Sequence, residues 1–313
     1  MKERRDNHDK STEPGVKQRA GQEAVGITEG GCGKLFICAT PIGNLEDITP
    51  RVLRALSEAD LIAAEDTRNS IKLLNHFEIK TPMTSYHEYN RFEKADELVE
   101  KMLAGKNVAI ITDAGTPCIS DPGEVLVQKC AEAGIEITSL PGASAVITAL
   151  TLSGLSTRRF VFEGFLPPKK EKKERQAVLA SLRDETRTIV LYEAPHHLSD
   201  TLSELSETLG GERRISLCRE LTKRYEEVIR TTLSEAAATV PKGEYVLVIE
   251  GKSREKLLQQ QRESFEALSI EEHVKRYMDA GMDKKEAMKA AAKDRGVSRR
   301  DIYQALENQR RRG

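Results

Sequence analysis

The sequence predicts an α/β protein with two successive α/β domains and a small helical segment behind them. Short apolar, β-branched runs alternate with helical patterns, and such continuous apolar strands are typical of a mainly parallel sheet that is covered on both faces. The alternation begins again after LSGLSTRRF at residues 152–160, which predicts a join between two domains. A chain of 313 residues has the length for two domains and an appendage.

The first predicted domain covers residues 34–153. It follows a tail, residues 1–33, which lacks apolar periodicity and is therefore expected to be disordered. Its predicted strands are LFICAT (35–40), LIAAED (61–66), VAIIT (108–112) and IEITSL (135–140). Its predicted helices include TPRVLRALSEA, with Thr49 as the cap and Pro50 in the first turn, and RFEKADELVEKMLAG, which Gly105 ends.

The second predicted domain covers residues 154–252 and ends at a charged, Gln-rich linker, residues 253–265. Its predicted helices are ERQAVLASLRD and LSDTLSELSETLG. Its predicted strands are RFVFEGF (159–165), TIVLYEA (188–194), RRISLCREL (213–221) and YVLVIEG (245–251).

The last segment, residues 266–313, has no strand pattern and predicts three short helices, with stops at Gly281 and Gly296 and caps at Asp283 and Ser298. The spacing from Ala292 to Gly296, followed by a capped helix, is typical of a helix-turn-helix, since Ala permits a close crossing and Gly makes the turn. A small bundle for protein contact has the same pattern, so both interpretations stay open.

Composition indicates a soluble protein with aliphatic cores, because hydrophobic residues make up 38%, charged residues 32%, and Trp is absent. No apolar run approaches the roughly 18 residues of a membrane helix, and no secretory signal opens the chain, so no membrane partner is expected. The five cysteines form no C-x-x-C pair, which disfavours zinc and disulfides; Cys38 and Cys218 are predicted core residues. A reducing cytoplasm fits these observations.

Two basic stretches stand out against a net charge of −1. Residues 169–175 read KKEKKER, and residues 284–313 hold ten Lys or Arg against four Asp or Glu. A phosphate-bearing partner could use both stretches, although a solvated helix face gives the same pattern.

Five loops follow predicted strands and contain the turn formers, small residues and polar groups of a ligand site. In a parallel sheet such loops meet at the carboxyl ends of the strands, where open α/β sheets bind ligands. Their Gly, Ala, Ser and Thr content predicts a ligand held largely by main-chain groups. No phosphate-binding P-loop is present, since GKS at 251–253 has Val246 where that motif needs Gly, and no metal-binding motif occurs. The five loops are ATPIGNLEDIT (39–49), EDTRNS (65–70), ITDAGTPCISDPG (111–123), LPGASAV (140–146) and LYEAPHHL (191–198).

The segments TPIGNLEDIT, AEDTR, TDAGTPCISDPG, PGASA and YEAPHHL, in this order and spacing, resemble the tetrapyrrole methylase superfamily, and most closely its RNA-acting branch. The resemblance covers about residues 34–251, and the three-helix tail also fits that branch. It implies two α/β domains with S-adenosylmethionine in the cleft between them, in a homodimer. It also implies methyl transfer to the ribose 2′-oxygen of a cytidine in the 16S rRNA of the small ribosomal subunit. No metal is expected, because the sequence has no metal-binding motif and the sulfonium donor is already activated.

Carried over by position, the resemblance implies seven residues that hold the methyl donor. The superfamily usually has Gly-Asp-Pro where this chain has Thr112, Asp113 and Ala114, so Asp113 keeps its place while its neighbours differ. The implied donor-binding residues are Ile42, Gly43, Asp113, Thr116, Ser144, Ala145 and Tyr192.

A ribose hydroxyl is a weak acid, so a general base would assist the transfer. The sequence leaves four candidates at strand ends, and each could instead be a helix cap, an ion-pair partner or an RNA contact. The four candidates are Glu65, Asp66, Glu193 and His196. The predicted RNA-binding residues are Arg68, Lys169, Lys170, Lys172, Lys173, Arg295, Arg299 and Arg300.

Two other functions remain open at this point. The same scaffold could methylate a porphyrin or a protein side chain, although the basic stretch and the helical tail favour RNA. A non-enzymatic regulator that binds DNA through the helix-turn-helix is the third possibility, but it leaves the five ligand-like loops without a role.

Overall fold

The structure of the chain is a computed structural model that describes residues 31–266 and 268–310. Residues 1–30 of the predicted tail lie outside the described residues. Within the described part of the chain, no helix is long and apolar enough to cross a membrane.

The first sheet has five parallel strands in the order β3-β2-β4-β1-β5, which confirms the predicted parallel arrangement. The short edge strand β3 was not predicted, because its three residues carry no apolar run. The strands are β1 (Lys34–Cys38), β2 (Leu61–Ala64), β3 (Met83–Ser85), β4 (Val108–Ile111) and β5 (Glu136–Leu140).

Helices cover both faces of this sheet and bury its aliphatic side chains in two clusters. The Thr49 hydroxyl accepts a hydrogen bond from the Val52 amide at 3.3 Å, so the predicted cap of α1 is confirmed. Gly105, with φ of 88°, lies just beyond the end of α3, as predicted. The covering helices are α1 (Pro50–Glu58), α2 (Thr67–His76), α3 (Arg91–Leu103) and α4 (Gly123–Glu132), and α5 (Ala145–Leu152) follows β5.

The second sheet is mixed and mostly antiparallel, in the order β6-β7-β10-β8-β9. Only β6 and β7 pair in parallel, so the fifth ligand loop, at residues 191–198, follows a strand that is parallel to β6 and antiparallel to β10. The strands are β6 (Phe160–Phe165), β7 (Thr188–Glu193), β8 (Arg214–Arg219), β9 (Glu227–Thr232) and β10 (Tyr245–Ile249).

One face of the second sheet is covered by its own helices, and the other by α5 from the end of the first predicted domain. Val146, Ala149 and Leu150 of α5 pack with strand residues such as Val190 and Val248. The helices on the first face are α6 (Lys172–Leu182), α7 (Leu198–Leu209) and α8 (Leu233–Ala236).

The segment predicted as a linker forms a helix, α9 (Arg254–Glu266), and the three predicted tail helices follow it. Asp283 caps α11, and Gly296 ends it in the left-handed conformation with φ of 66°. Ala292 is 5% exposed beside the turn, as the predicted close crossing requires. The tail helices are α10 (Ile270–Asp279), α11 (Lys284–Arg295) and α12 (Arg299–Arg310).

Candidate functional site

A cleft of about 380 Å³ lies between the two sheets. The first domain contributes loops after β1, β2, β4 and β5, and the second contributes one end of β6, β7, β8 and β10. This volume suits a small organic ligand. The lining residues are Ile42, Glu65, Thr112–Thr116, Ile119–Asp121, Ser144, Ala145, Phe165, Tyr192–Ala194, Cys218, Glu220, Leu221, Lys223 and Glu244–Val246.

The loops of the first domain are tied together by main-chain hydrogen bonds. Thr40 and Gly115 exchange two such bonds, of 2.8 and 3.1 Å, and the Thr116 hydroxyl donates to the Ala143 carbonyl at 3.0 Å. Gly115 has φ of 84° and lies against Ile42, which explains a glycine at this position. These bonds hold the floor of the cleft together.

Residues 111–123 make a compact turn that is held together by the carboxylate of Asp121. Both oxygens of Asp121 accept backbone hydrogen bonds of 2.7 Å, from Cys118 and Gly123. Burial raises the pKa of Asp121, and these backbone bonds offset the shift in part. Cys118 and Ser120 adopt left-handed φ values of 70° and 59°, an unfavourable conformation for such residues.

A second left-handed turn meets the first domain from the other side of the cleft. Glu220 and Thr222 have φ values of 49° and 65°, and the Thr222 hydroxyl accepts a hydrogen bond from the Asn44 amide at 3.1 Å. A side-chain carbon at Gly43 would lie 2.5 Å from Lys223 and 2.8 Å from Thr222. Gly43 thus lets the two domains approach each other.

The cleft is strongly acidic. It is lined by six carboxylates and a single cationic side chain, Lys223, whose ammonium group pairs with Glu220 at 3.1 Å and with Glu244 at 2.8 Å. The other four carboxylates form no ion pair within the described residues. Such a site attracts a cationic ligand and repels phosphate. The six carboxylates are Glu65, Asp113, Asp121, Glu193, Glu220 and Glu244.

Most of the residues expected to hold a donor line this cleft. Gly43 is the exception, because it acts in the contact between the domains. Tyr192 lies between Phe162 and Phe165, with ring centroids 5.0 and 5.4 Å away, and burial raises its pKa. The expected residues that line the cleft are Ile42, Asp113, Thr116, Ser144, Ala145 and Tyr192.

The structure divides the four candidate bases. Glu65 and Glu193 line the cleft, while the exposed His196 and the cap residue Asp66 do not. The Asp66 carboxylate pairs with the Arg68 guanidinium at 2.8 Å and accepts from the Arg68 amide at 2.8 Å, and these contacts lower its pKa to about 2. Asp66 therefore serves the start of α2.

Glu65 and Glu193 have different surroundings. Glu65 accepts a hydrogen bond of 2.5 Å from the Thr112 hydroxyl. Glu193 is 7% exposed, and its Oε1 accepts from the Ala194 amide at 2.8 Å. Both residues line the cleft.

Sequence reasoning missed the part of the cleft that comes from β8, β10 and the turn after β8. The antiparallel register sets Tyr192 beside Val246 and Val246 beside Cys218, so the start of β10 lies at the same edge as the ends of β7 and β8. A signal was available in ELTKRYEE, a polar turn directly after a predicted strand. The position of this turn at the cleft depends on how β7, β8 and β10 pair, which the hydrophobic pattern of the sequence does not specify.

The predicted RNA contacts lie on several surfaces. Lys169 forms an ion pair with Asp200, and Lys170, Lys172 and Lys173 are exposed. Arg175, from the same basic run, is instead 7% exposed and forms an ion pair with Glu204 at 2.6 Å, so it is a core residue.

In the tail, Arg299 and Arg300 are exposed, whereas Arg295 donates to the Leu268 carbonyl at 2.5 Å and to His273 at 3.1 Å. Arg295 is therefore engaged inside the bundle. This placement differs from the expected outward orientation, because the helix register turns its guanidinium toward α10.

The sequence matches relatives along most of its length. A Synechocystis sp. protein named ribosomal RNA small subunit methyltransferase I is 49% identical to this chain over 276 residues. The match covers 87% of this chain and 96% of that relative. The Bacillus subtilis protein of that name is 44% identical over 87% of this chain and 94% of its own length.

Solved structures share the fold at low identity. A diphthine synthase has a TM-score of 0.55 at 16% identity, over 70% of this chain and 90% of its own. A uroporphyrin-III C-methyltransferase of Thermus thermophilus, solved in complex with S-adenosylhomocysteine, has a TM-score of 0.50 at 17% identity. The match covers 70% of this chain and 97% of that structure's chain. The model of the Tetrapyrrole (Corrin/Porphyrin) Methylases matches residues 34–237, and this chain belongs to that family.

Proposed function

We propose that this chain transfers a methyl group from S-adenosylmethionine to the ribose 2′-oxygen of a cytidine in the 16S rRNA of the small ribosomal subunit, in the cytoplasm. The observation that carries the proposal is an acidic cleft between two α/β domains, in a chain 49% identical to a relative named for small-subunit rRNA methylation. The choice of cytidine and of the 2′-oxygen rests on the family resemblance alone.

The cleft suits a methyl donor that carries positive charge. S-adenosylmethionine has a sulfonium and an ammonium group, which the cleft carboxylates and the face of Tyr192 would attract. Ile42, Ser144 and Ala145 offer an apolar wall and main-chain groups for its uncharged parts. The sulfonium already activates the methyl group, so the task of the protein is to align the reactants, and the reaction requires no metal.

Proton removal from the ribose hydroxyl falls to a cleft carboxylate. Glu193 is the first choice because it is buried at the end of β7 and its Oε2 accepts no hydrogen bond within the described residues. Glu65 is the second, although one of its oxygens already accepts from Thr112. Asp66 is excluded from this role by its bond to Arg68.

Exposed aromatic side chains beside arginines favour RNA over a porphyrin. In the first domain, Tyr89 is 97% exposed and the Arg91 guanidinium lies 4.9 Å from the Phe92 ring centroid. In the second domain, Tyr225 is 66% exposed and lies 5.6 Å from Arg224, in the turn that also lines the cleft. Proteins stack unpaired bases on such aromatic and guanidinium planes.

We propose that the enzyme acts as a homodimer. We also propose that the tail, residues 266–313, binds RNA and contributes no catalytic group. Arg299 and Arg300 at the start of α12 are among the exposed cations of its described residues. Deleting the tail should raise the apparent KM for RNA far more than it lowers the rate at saturating RNA. Normal RNA affinity with lost chemistry would instead assign a catalytic group to the tail.

The decisive experiment is transfer of a tritiated methyl group to small-subunit rRNA, followed by alkaline hydrolysis. A 2′-O-methyl group removes the hydroxyl that attacks the adjacent phosphodiester, so a gap in the hydrolysis ladder at a cytidine is expected. Label without a gap would indicate methylation of a base and would contradict ribose transfer. Label on uroporphyrinogen or on ribosomal protein, with none on RNA, would establish the alternative substrates. Tight DNA binding without donor binding would favour a regulator.

A further inference from the structure

A second cavity, of about 630 Å³, lies at the edge of the second sheet opposite the cleft. Strands β6, β7, β8 and β10 each contribute one end to the cleft and border this cavity with the other. We call it the basic cavity. It is lined by Ser156, Arg158, Arg159, Thr186–Thr188, Arg214, Glu250–Ser253 and Arg254.

Positive charge dominates this lining. Of its twelve residues, six are Lys or Arg and one is Glu, an excess of five positive charges. Three of the six cations have acidic partners: Arg187 pairs with Glu185, Arg214 with Glu250 and Lys252 with Asp184, at 2.5–2.6 Å.

The three remaining arginines, Arg158, Arg159 and Arg254, are exposed. They form no ion pair among residues 31–266 and 268–310. Each guanidinium is therefore available for a charge-assisted hydrogen bond to an anion.

The cavity has a firm main-chain floor. A side-chain carbon at Gly251 would lie 2.3 and 2.4 Å from the carbonyl oxygens of Thr186 and Arg187, so the segment after β10 packs directly on the segment before β7. The Lys252 amide donates to the Glu185 carbonyl at 2.7 Å, and the Thr188 hydroxyl donates to the Ser156 carbonyl at 2.6 Å. The arginines thus extend from fixed backbone.

We propose that the basic cavity binds the phosphate backbone of the RNA substrate, at a site separate from methyl transfer; this inference rests on the proposed function. The cleft and the basic cavity lie at opposite ends of β7, roughly 17 Å apart for a strand of this length. Six carboxylates make the cleft unfavourable for phosphate, so an RNA substrate needs cationic contacts elsewhere. The arginines of the basic cavity provide them on the domain that carries Glu193.

The test compares two double variants that each remove two exposed arginines. Arg158→Gln with Arg159→Gln changes the basic cavity, and Arg51→Gln with Arg54→Gln changes the exposed surface of α1 as the matched control. RNA affinity is measured by filter binding over a series of salt concentrations, and donor affinity by calorimetry.

The cavity variant should bind RNA at least tenfold more weakly at moderate salt. Its plot of log affinity against log salt should be shallower by one to two units, since each lost phosphate contact removes about 0.7–0.9. Donor affinity and the rate at saturating RNA should stay within about twofold of the unchanged protein, and the control variant should keep both the affinity and the slope.

Three outcomes would overturn the inference. The first is an unchanged slope in the cavity variant while the unaltered protein still methylates rRNA, which leaves the proposed function intact. The second is an equal loss in both variants, which would indicate general surface attraction. The third is binding of tripolyphosphate that the cavity variant loses without any change in RNA affinity, which would assign the cavity to a free polyphosphate. Absence of methyl transfer to RNA by the unaltered protein would instead refute the proposed function.

Discussion

At the scale of single residues, the carboxylates at the cleft differ in what they already bind. Asp121 uses both oxygens for the turn that contains it, whereas Asp66 lies outside the cleft and is held by Arg68. Glu193 is buried and accepts only one backbone hydrogen bond among the described residues. A general base needs an oxygen that is free to take a proton, and Glu193 meets this condition best.

Glu193→Gln should lower kcat about 10²- to 10³-fold, because general-base assistance is typically worth 10²–10⁴. The donor Kd should change by less than about threefold, since Asp113 and not Glu193 is the carboxylate proposed to contact the donor. Single-turnover methyl transfer and donor calorimetry measure the two effects. Asp66→Asn is the control and should leave kcat within a few-fold. An unchanged kcat in Glu193→Gln would contradict this role and would indicate Glu65 as the general base.

Asp113→Ala should weaken donor binding roughly tenfold while the melting temperature stays the same. Asp113 is exposed at the cleft, and its one described side-chain partner is Asn69, at 3.4 Å, so removing it disturbs little of the fold. Asp113→Asn separates charge from shape and should weaken binding nearly as much if the donor's positive charge is what this carboxylate attracts. Calorimetry of both variants measures this, and unchanged affinity in Asp113→Ala would refute a donor contact.

At the scale of elements, the helices of the tail assemble around a buried histidine. His273 is fully buried, stacks on Phe265 of α9 with centroids 4.4 Å apart, and accepts a hydrogen bond from Arg295 of α11. Asp294 lies 3.4 Å from its other nitrogen. Burial first, and the Arg295 charge second, lower the pKa of His273, so the bundle favours its neutral form.

The bundle should therefore lose stability as the pH falls below about 6.5, the usual pKa of histidine. In that range the unfolded segment takes up a proton that folded His273 resists, so the unfolded state binds more protons and stability rises with pH. Hydrogen exchange of peptides from 270–308, corrected for intrinsic rates, should show weaker protection at pH 5.5 than at pH 7.5. His273→Gln should remove the difference, and first-domain peptides give the internal reference. Equal protection at both pH values would contradict this role.

At the scale of the whole molecule, the second sheet separates two regions of opposite electrostatic potential. Its strands run from an acidic cleft shared with the first domain to the basic cavity on the far edge. The width of the cleft depends on the contact between Gly43 and the turn at 221–223, since no side chain intervenes there. The first domain thus controls the site partly through a residue that does not line it.

Gly43→Val should weaken donor binding about tenfold, because an inserted side chain that forces packed segments apart typically costs 1–3 kcal/mol. The added carbon atoms would meet Lys223 and Thr222 and separate the two halves of the cleft. Gly43→Ala should have a smaller effect in the same direction, which makes the series graded. Donor calorimetry and the melting temperature are the measurements. Unchanged donor affinity in Gly43→Val would contradict the prediction, because it would show that the two domains accommodate the larger side chain without widening the cleft.

The sequence by itself determined the elements and the loops that hold the site. Apolar runs, caps such as Thr49 and stops such as Gly296 specify local structure, because periodicity and capping act within a few residues. The order of the loop motifs indicated the family, and the roles expected of Ile42 and Tyr192 came from that resemblance.

Only the tertiary structure decided the pairing of the second sheet and the partners of each charge. Strand direction depends on contacts far apart in sequence, and the antiparallel β10 brings Glu244 and Tyr245 to the cleft where no local pattern indicated them. Likewise, Arg175 and Arg295 resemble their exposed neighbours in sequence. They are taken into the fold because Glu204 and His273, 29 and 22 residues away in the chain, meet them in space.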